Sequence, residues 1–441
     1  MDFLIDQYII GNLPFNVSDG TAKIIKENAA KVLSFADWLC GAQDPRLLLQ
    51  GHWEIVAVEA FFLCLFLITL LHALRRGGRT FYVWLAVLIH GLVSEVLHVY
   101  VKELDNRWYG QSMLTWFGRR IPTFVLLGKQ HVFLYSAVLT VQRLHLPWWG
   151  SGAAAGLVCS LITVPYEVLG PKLLLWTWHD TDAAVADRSY HVPWSQYQFY
   201  AVSSGLFVCL LRATRNVLLN AAYDWKCFIR EYLCSLLSGA LSVVGAYALL
   251  FTMHQFLHEL LLVPTSHLVL TCFAGLLLAF WIADRSPLAI ARCASPTVDI
   301  LLLFVITLYY SFFLVLVWLT EPADIMATSI WQPIGPCDRP ETLRNPFGMS
   351  RKRAQFLCTT RYNEPYFDFH CLPEKRPPTM RDGHPVEWYP LCGTRYPEND
   401  LEYPFLISAC SVFGLCVLFT MLLFSGNPPV QPTVIRKRKR D

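Results

Sequence analysis

The sequence predicts an all-α fold, a polytopic membrane helix bundle of about nine spans with a small disulfide-stapled lumenal insertion. Three observations carry this expectation. Of 441 residues, 54% are hydrophobic and only 16% charged, well below the roughly 25% charged of an ordinary soluble domain. Apolar runs of about 20 residues, the length that crosses a bilayer, recur along most of the chain. A polar, proline-containing stretch then separates the last of these runs from the others and holds four cysteines. The same composition excludes disorder, collagen and coiled coil, because 28 Phe, 19 Tyr and 15 Trp require burial.

In chain order, Asp2 and Asp6 are incompatible with a secretory signal peptide, which needs a basic start and an unbroken apolar run. The amino terminus is therefore expected to be retained. Over residues 19–39, Ile24, Ile25, Val32, Leu33 and Trp38 intersperse with Lys23, Lys26, Glu27 and Lys31, behind a Ser18 or Asp19 cap. That pattern reads as an amphipathic interfacial helix within an amino-terminal tail, 1–52. An eight-span core follows at 53–320, with spans expected at 53–74, 80–101, 121–144, 149–169, 194–219, 231–263, 266–282 and 298–320. Gly170 and Pro171 interrupt the fourth before an apolar extension to Trp178. A helix broken at membrane depth survives only where it lines a cavity or is buried in protein. The sixth span is longer than ~30 Å of hydrocarbon requires, so it must tilt or project. A Cys-containing domain at 321–402, a ninth span at 403–424 and a basic tail at 425–441 complete the organisation.

Orientation follows from charge, cysteine and asparagine. Lys and Arg are in modest excess on the loops holding Arg75, Arg76, Arg79, Arg212, Arg215 and the tail, which assigns those loops to the cytosol. On the opposite side, Cys337, Cys358, Cys371 and Cys392 form an even set without a CxxC pair. They read as disulfides in an oxidising compartment rather than as a zinc site, with the three pairings open. Asn16, Val17 and Ser18 form a glycosylation sequon on that same side. The final Lys437, Arg438, Lys439, Arg440 and Asp441 resemble the KxKxx signal that cytosolic coat proteins read. The expected address is the endoplasmic reticulum membrane, with the amino terminus lumenal and the carboxyl terminus cytosolic.

Ionisable groups at membrane depth cost about 2.5–3.5 kcal/mol on insertion scales, so they mark functional or mutually paired sites. His90, Ser94, Glu95 and His98 share one broad face of the second span. The third span carries Lys129, Gln130 and His131. Near the lumenal end of the sixth, His254 and His258 stand one turn apart, a spacing suited to one metal, zinc or iron. Glu167, Trp176, Trp178, His179, Asp180 and Asp182 cluster between the fourth and fifth spans. The competing reading is structural pairing, Glu95 with His98 and Lys129 with Glu167. No GxxxxGK[ST] loop and no basic aromatic surface occur outside the tail, which argues against ATP hydrolysis and nucleic-acid binding.

Residues 81–219 carry Asn106-Arg-Trp-Tyr-Gly110, Arg120-Ile-Pro122, Pro165-Tyr-Glu167, Trp176-Thr-Trp-His-Asp-Thr-Asp182 and Val192-Pro-Trp194. This stretch resembles an uncharacterised family of eukaryotic multi-span membrane proteins. More faintly, it is similar to the bacterial and archaeal carotenoid-biosynthesis membrane family, which includes hydratases of isoprenoid double bonds. That likeness implies Glu95, Glu167 and Asp180 as catalytic acids able to protonate an alkene; the polar residue the family places after Val-Pro falls here at Ser195 or Gln196. The Ser94/His98 and His254/His258 spacings are similar to the SxxxH and HxxxH patterns of alkaline-ceramidase-like membrane hydrolases. That second likeness implies a metal on His98, His254 and His258 that activates water. The functional expectation is a protein that binds or modifies a lipid or isoprenoid at a lumenal-leaflet site, as a hydratase or a metal-dependent hydrolase if it is an enzyme. The alternative is a non-enzymatic transporter, lipid-binding scaffold or assembly factor whose insertion binds a lumenal protein partner.

Overall fold

A computed structural model describes residues 19–220, 222–290, 298–344, 350–380, 384–397 and 401–424. Asn16, Lys437 and Lys439 lie outside the described residues. Helices α1 (Asp19–Leu39) and α2 (Pro45–Gly51) precede α3 (Trp53–Arg76), α4 (Arg79–Tyr100), α5 (Phe124–Gln142), α6 (Trp148–Lys172) and α7 (Trp194–Leu218). Then come α8 (Trp225–Leu260), α9 (Thr265–Ala283), α10 (Pro287–Ile290), α11 (Ile300–Leu319) and α12 (Glu402–Leu423). Eight of them, α3 to α6, α8, α9, α11 and α12, are long and apolar enough to cross a membrane. The protein is thus a multi-pass membrane protein built on a helical bundle.

Helix α7 has the length of a span but is less apolar, since it carries Gln196, Gln198, Ser203 and Ser204. All four are buried, and α7 packs against α6 on one side and α8 on the other. Glycines draw α6 and α7 together: a Cβ at Gly156 would lie 2.5 Å from the Ala201 carbonyl oxygen. Such small-residue contacts drive helix association where lipid removes the hydrophobic incentive. Helix α5 is almost wholly buried and is wound irregularly. Two π-helical stretches, Phe124–Gly128 and His131–Tyr135, flank Lys129 and Gln130, and π turns of this kind gather at functional sites.

Twelve short strands join the described helices at one end of the bundle. They are β1 (Cys40–Ala42), β2 (Arg107–Tyr109), β3 (Leu114–Trp116), β4 (Ile121–Pro122), β5 (Trp176–Trp178), β6 (Arg188–Ser189), β7 (Val192–Pro193), β8 (Met326–Ile334), β9 (Pro340–Arg344), β10 (Ser350–Ala354), β11 (Phe367–Asp368) and β12 (Val386–Gly393). Strand β3 pairs antiparallel with β1 and β4, and β2 with β5. A bridge from Gly110 to Ile330 ties this connector to the insertion. The insertion is itself β-structured, with β11, β12 and β8 forming one sheet and β9 and β10 a hairpin. Its disulfides are Cys337–Cys358 and Cys371–Cys392; Cys40 is unpaired. The amino-terminal segment, the α4–α5 and α6–α7 connections and the insertion therefore form one cap. Glu59 of α3 anchors the cap from below by accepting the Met113 backbone N–H at 2.8 Å.

At the other end of the bundle, Arg76 Nη2 lies 2.9 Å from Asp299 Oδ2, joining the end of α3 to the start of α11. Arg79 and Arg215 both approach Glu231, at 2.8 and 3.6 Å, joining the starts of α4 and α8 to the end of α7.

One expectation is corrected here. Gly170 and Pro171 do not break a span at membrane depth, because α6 continues to Lys172 and simply ends there. The Gly170 carbonyl, which Pro171 does not disturb, accepts the Leu175 N–H at 2.9 Å, and the chain turns directly into β5. The glycine serves packing, for a Cβ at Gly170 would fall 1.8 Å from the Trp176 ring.

Candidate functional site

The β2–β5 ribbon aims alternate side chains inward. Its register sets Arg107 opposite Trp178 and Tyr109 opposite Trp176, and the two-residue period of a strand puts those four on one face. Arg107, only 5% exposed, consequently enters the bundle with its guanidinium 5.2 to 5.3 Å from the ring centres of Tyr109, Trp176 and Trp178. There it meets side chains from four helices. Lys129 Nζ of α5 donates to Glu95 Oε1 of α4 at 2.6 Å, and Tyr109 OH donates to Glu95 Oε2 at 3.0 Å. Tyr200 OH of α7 donates to Glu167 Oε1 of α6 at 2.6 Å. Arg107 stands between the acids, 3.9 Å from Glu95 and 3.5 Å from Glu167.

Two carboxylates and two cations thus form a buried, charge-balanced quartet. Burial without such compensation is prohibitive, since the effective penalty is several kcal/mol per ion. At the ribbon itself, burial pushes the Tyr109 phenol well above its usual pKa, with Arg107 opposing, so Tyr109 is a hydrogen-bond donor at neutral pH. The Arg107 side of the quartet also holds buried polar atoms without hydrogen-bond partners among the described residues: Arg107 Nη1, Glu167 Oε2, Tyr166 OH and both Trp176 and Trp178 Nε1.

Beside the quartet, where the bundle meets the cap, lies a cavity of about 210 Å³. Helices α4 and α8 supply His98, Tyr247, His254, Gln255, His258 and Glu259; α7 supplies Ser195, Gln196 and Phe199. The connectors add Glu103, Asn106, Trp178 and Val185, and β10 adds Arg351. His98 also borders a small void shared with Glu95 and Arg107, so it stands between cavity and quartet. Its Nδ1 donates to the Ser94 carbonyl at 2.9 Å, leaving Nε2 to accept from Tyr247 OH at 3.2 Å. His254 and His258 lie in a π-helical stretch, His254–Leu260, with ring centres 5.9 Å apart. His258 Nδ1 donates to the Val263 carbonyl at 2.8 Å.

The residues expected from the sequence therefore divide. His98, His254 and His258 line one cavity. Among the described residues, however, only Asp368, His370 and Cys392 bring three ligand atoms within 4.8 Å of one another, and Cys392 is spent in a disulfide. The three cavity histidines do not gather into the spacing a zinc or iron centre needs. Glu95 and Glu167 share the quartet. Asp180 is not with them: its Oδ1 lies 3.5 Å from His179 Nδ1, and it faces Glu364 of the insertion, whose pKa burial raises despite an ion pair with Arg188. The expected pairings also change partners, as Lys129 serves Glu95 and Arg107 serves Glu167. Arg107, Tyr109, Tyr200 and Tyr247 were not anticipated. The alternation of Arg107 and Tyr109 in one short segment is the signal that points to the first two.

No curated protein and no solved structure matches the chain. The family model described as a domain of unknown function, DUF7802, matches residues 1–425, nearly the whole sequence, and the chain belongs to that family.

Proposed function

We propose that this protein is a nine-span protein of the endoplasmic reticulum membrane that binds a lipid or isoprenoid in its lumenal leaflet. The amino terminus and cap face the lumen, and the basic tail faces the cytosol. The crossing number is supported by parity. The α6–α7 connection and the insertion touch each other, as in the 3.0 Å pair of Arg353 with Asp182. An even number of crossings must therefore separate them, and α8, α9 and α11 make four only when α7 is counted. Disulfides in the cap fit an oxidising lumen, and the KxKxx-like tail supplies the retrieval signal.

The observation that carries the functional reading is the cavity between membrane helices and cap. It sets histidine, tyrosine, amide and carboxylate groups beside Phe199, Leu250 and Phe251, as sites for amphiphiles do. Neighbouring α8 residues Phe256 and Leu260 are exposed, a surface for lipid chains. Binding is favoured over acid catalysis because Glu95 and Glu167 are committed to Lys129 and Arg107 rather than free to protonate a guest. The test is photolabelling of the full chain in nanodiscs with a bifunctional, clickable fatty acid. Adducts on the peptides bearing Tyr247 and His258 are expected, and labelling confined to the outer faces of α9 and α12 would refute the reading.

A further inference from the structure

We infer that the cavity selects an uncharged lipid whose head donates hydrogen bonds through hydroxyls, as a diacylglycerol does. The inference rests on the lipid-binding reading above and adds the chemistry of the head. Charge is the first argument. Among the described lining residues the fixed charges are Glu103, Glu259 and Arg351, two carboxylates against one guanidinium. Arg351 is moreover already opposed by Asp182, 3.8 Å away. An anionic phosphate would enter a site of its own sign, and juxtaposed like charges disfavour binding.

The direction of hydrogen bonding is the second argument. His98 and His258 each spend Nδ1–H on a backbone carbonyl, at 2.9 and 2.8 Å, so the second nitrogen of each ring is an acceptor. His98 already accepts from Tyr247, while His258 Nε2 has no partner among the described residues. Glu103 and Glu259 accept only. The lining also carries donors, at Trp178, Asn106, Gln196 and Arg351, so a hydroxyl, which both donates and accepts, serves both sets, whereas a phosphate, which only accepts, leaves the histidine nitrogens and carboxylates unsatisfied. Leu250 and Phe251 then meet the first carbons of the chain.

The experiment compares photoactivatable diacylglycerol, phosphatidic acid of identical chains and a cationic amphiphile of matching length on the full chain in neutral nanodiscs. Diacylglycerol is expected to label cavity peptides about ten-fold more than phosphatidic acid, a 1.4 kcal/mol discrimination. Glu259 is exposed, so Glu259→Arg leaves folding intact and is expected to raise phosphatidic acid labelling. Cavity labelling by all heads alike, or preferentially by the anionic or cationic probe, would overturn this inference while leaving the lipid-binding reading standing. Cavity labelling by none of them would overturn both.

Discussion

Substituting Lys129 by methionine tests whether the buried quartet holds the bundle together. Lys129 Nζ and Glu95 Oε1 are 2.6 Å apart, and both side chains are 1% exposed. At an effective dielectric constant of about 20 their direct attraction is roughly 6 kcal/mol. The net cost of removing one partner is smaller, about 3–5 kcal/mol, most of it the penalty of a carboxylate left buried with only Tyr109 and the more distant Arg107. With ~2.1 cal/mol/K of unfolding entropy per residue, a chain of this length loses about 3–5 °C in Tm. Thermal unfolding of the detergent-purified protein, followed by intrinsic tryptophan fluorescence, is the assay. Glu95→Gln in the Lys129→Met background should recover at least about half of the loss, because the double variant no longer buries an unbalanced charge. A Lys129→Met protein that melts with wild type, or a double variant whose losses simply add, would refute the structural role of the quartet.

Three further outcomes follow from the fold. Gly170→Ala places a methyl group 1.8 Å from the Trp176 ring and should cost about 1–3 kcal/mol of overpacking, whereas Gly275→Ala, which meets nothing within 4 Å, should be neutral; equal melting of the two contradicts the packing account. Arg353 holds Asp182 at 3.0 Å, Glu341 at 3.2 Å and the carbonyls of Asp105 and Lys102, so Arg353→Ala should loosen the insertion by about 3–5 kcal/mol and speed its limited proteolysis; unchanged cleavage would show that the cap is held elsewhere. His52, 1% exposed, donates through Nε2 to the Leu173 carbonyl at 2.7 Å, and burial lowers its pKa to about 4. The unfolded imidazole takes up its proton below about pH 6.5 and the folded one only near 4, so stability should fall as pH drops through that window, by up to ~1.4 kcal/mol per pH unit. His52→Gln should flatten that slope, and an unchanged slope would assign it to other groups.

Much of the bundle was legible because apolar runs report membrane helices locally. The first two spans were expected at 53–74 and 80–101 and are found at Trp53–Arg76 and Arg79–Tyr100. The four insertion cysteines pair within the insertion, although nothing in their spacing chose among three connectivities. The partners of the buried charges were not legible. Two π stretches in α5 change the angular step on either side of Lys129, so counting at 3.6 residues per turn cannot tell which neighbour that side chain meets. Arg107 reads as an ordinary loop cation until β2 is paired with a strand some 70 residues away, a contact that no local pattern encodes. Gly170–Pro171 reads as a break because the reason for the glycine, the Trp176 ring, lies beyond the end of the helix. The cavity was legible in part: His98, His254 and His258 were expected at one site and do line it, whereas Phe199 of α7, Tyr247 of α8 and Arg351 of β10 come to the same space only in the folded arrangement.

The central claim is that this cavity holds a lipid, and filling it tests that claim most directly. Ala184 lines the cavity and is half-buried, so Ala184→Trp adds an indole to the space with little demand on the core. Lipids retained through delipidation should be extracted from wild type and variant and quantified by mass spectrometry against protein. The account predicts a lipid present at near one per chain in wild type and depleted in Ala184→Trp at unchanged Tm. Identical lipid content in two equally stable proteins would contradict it.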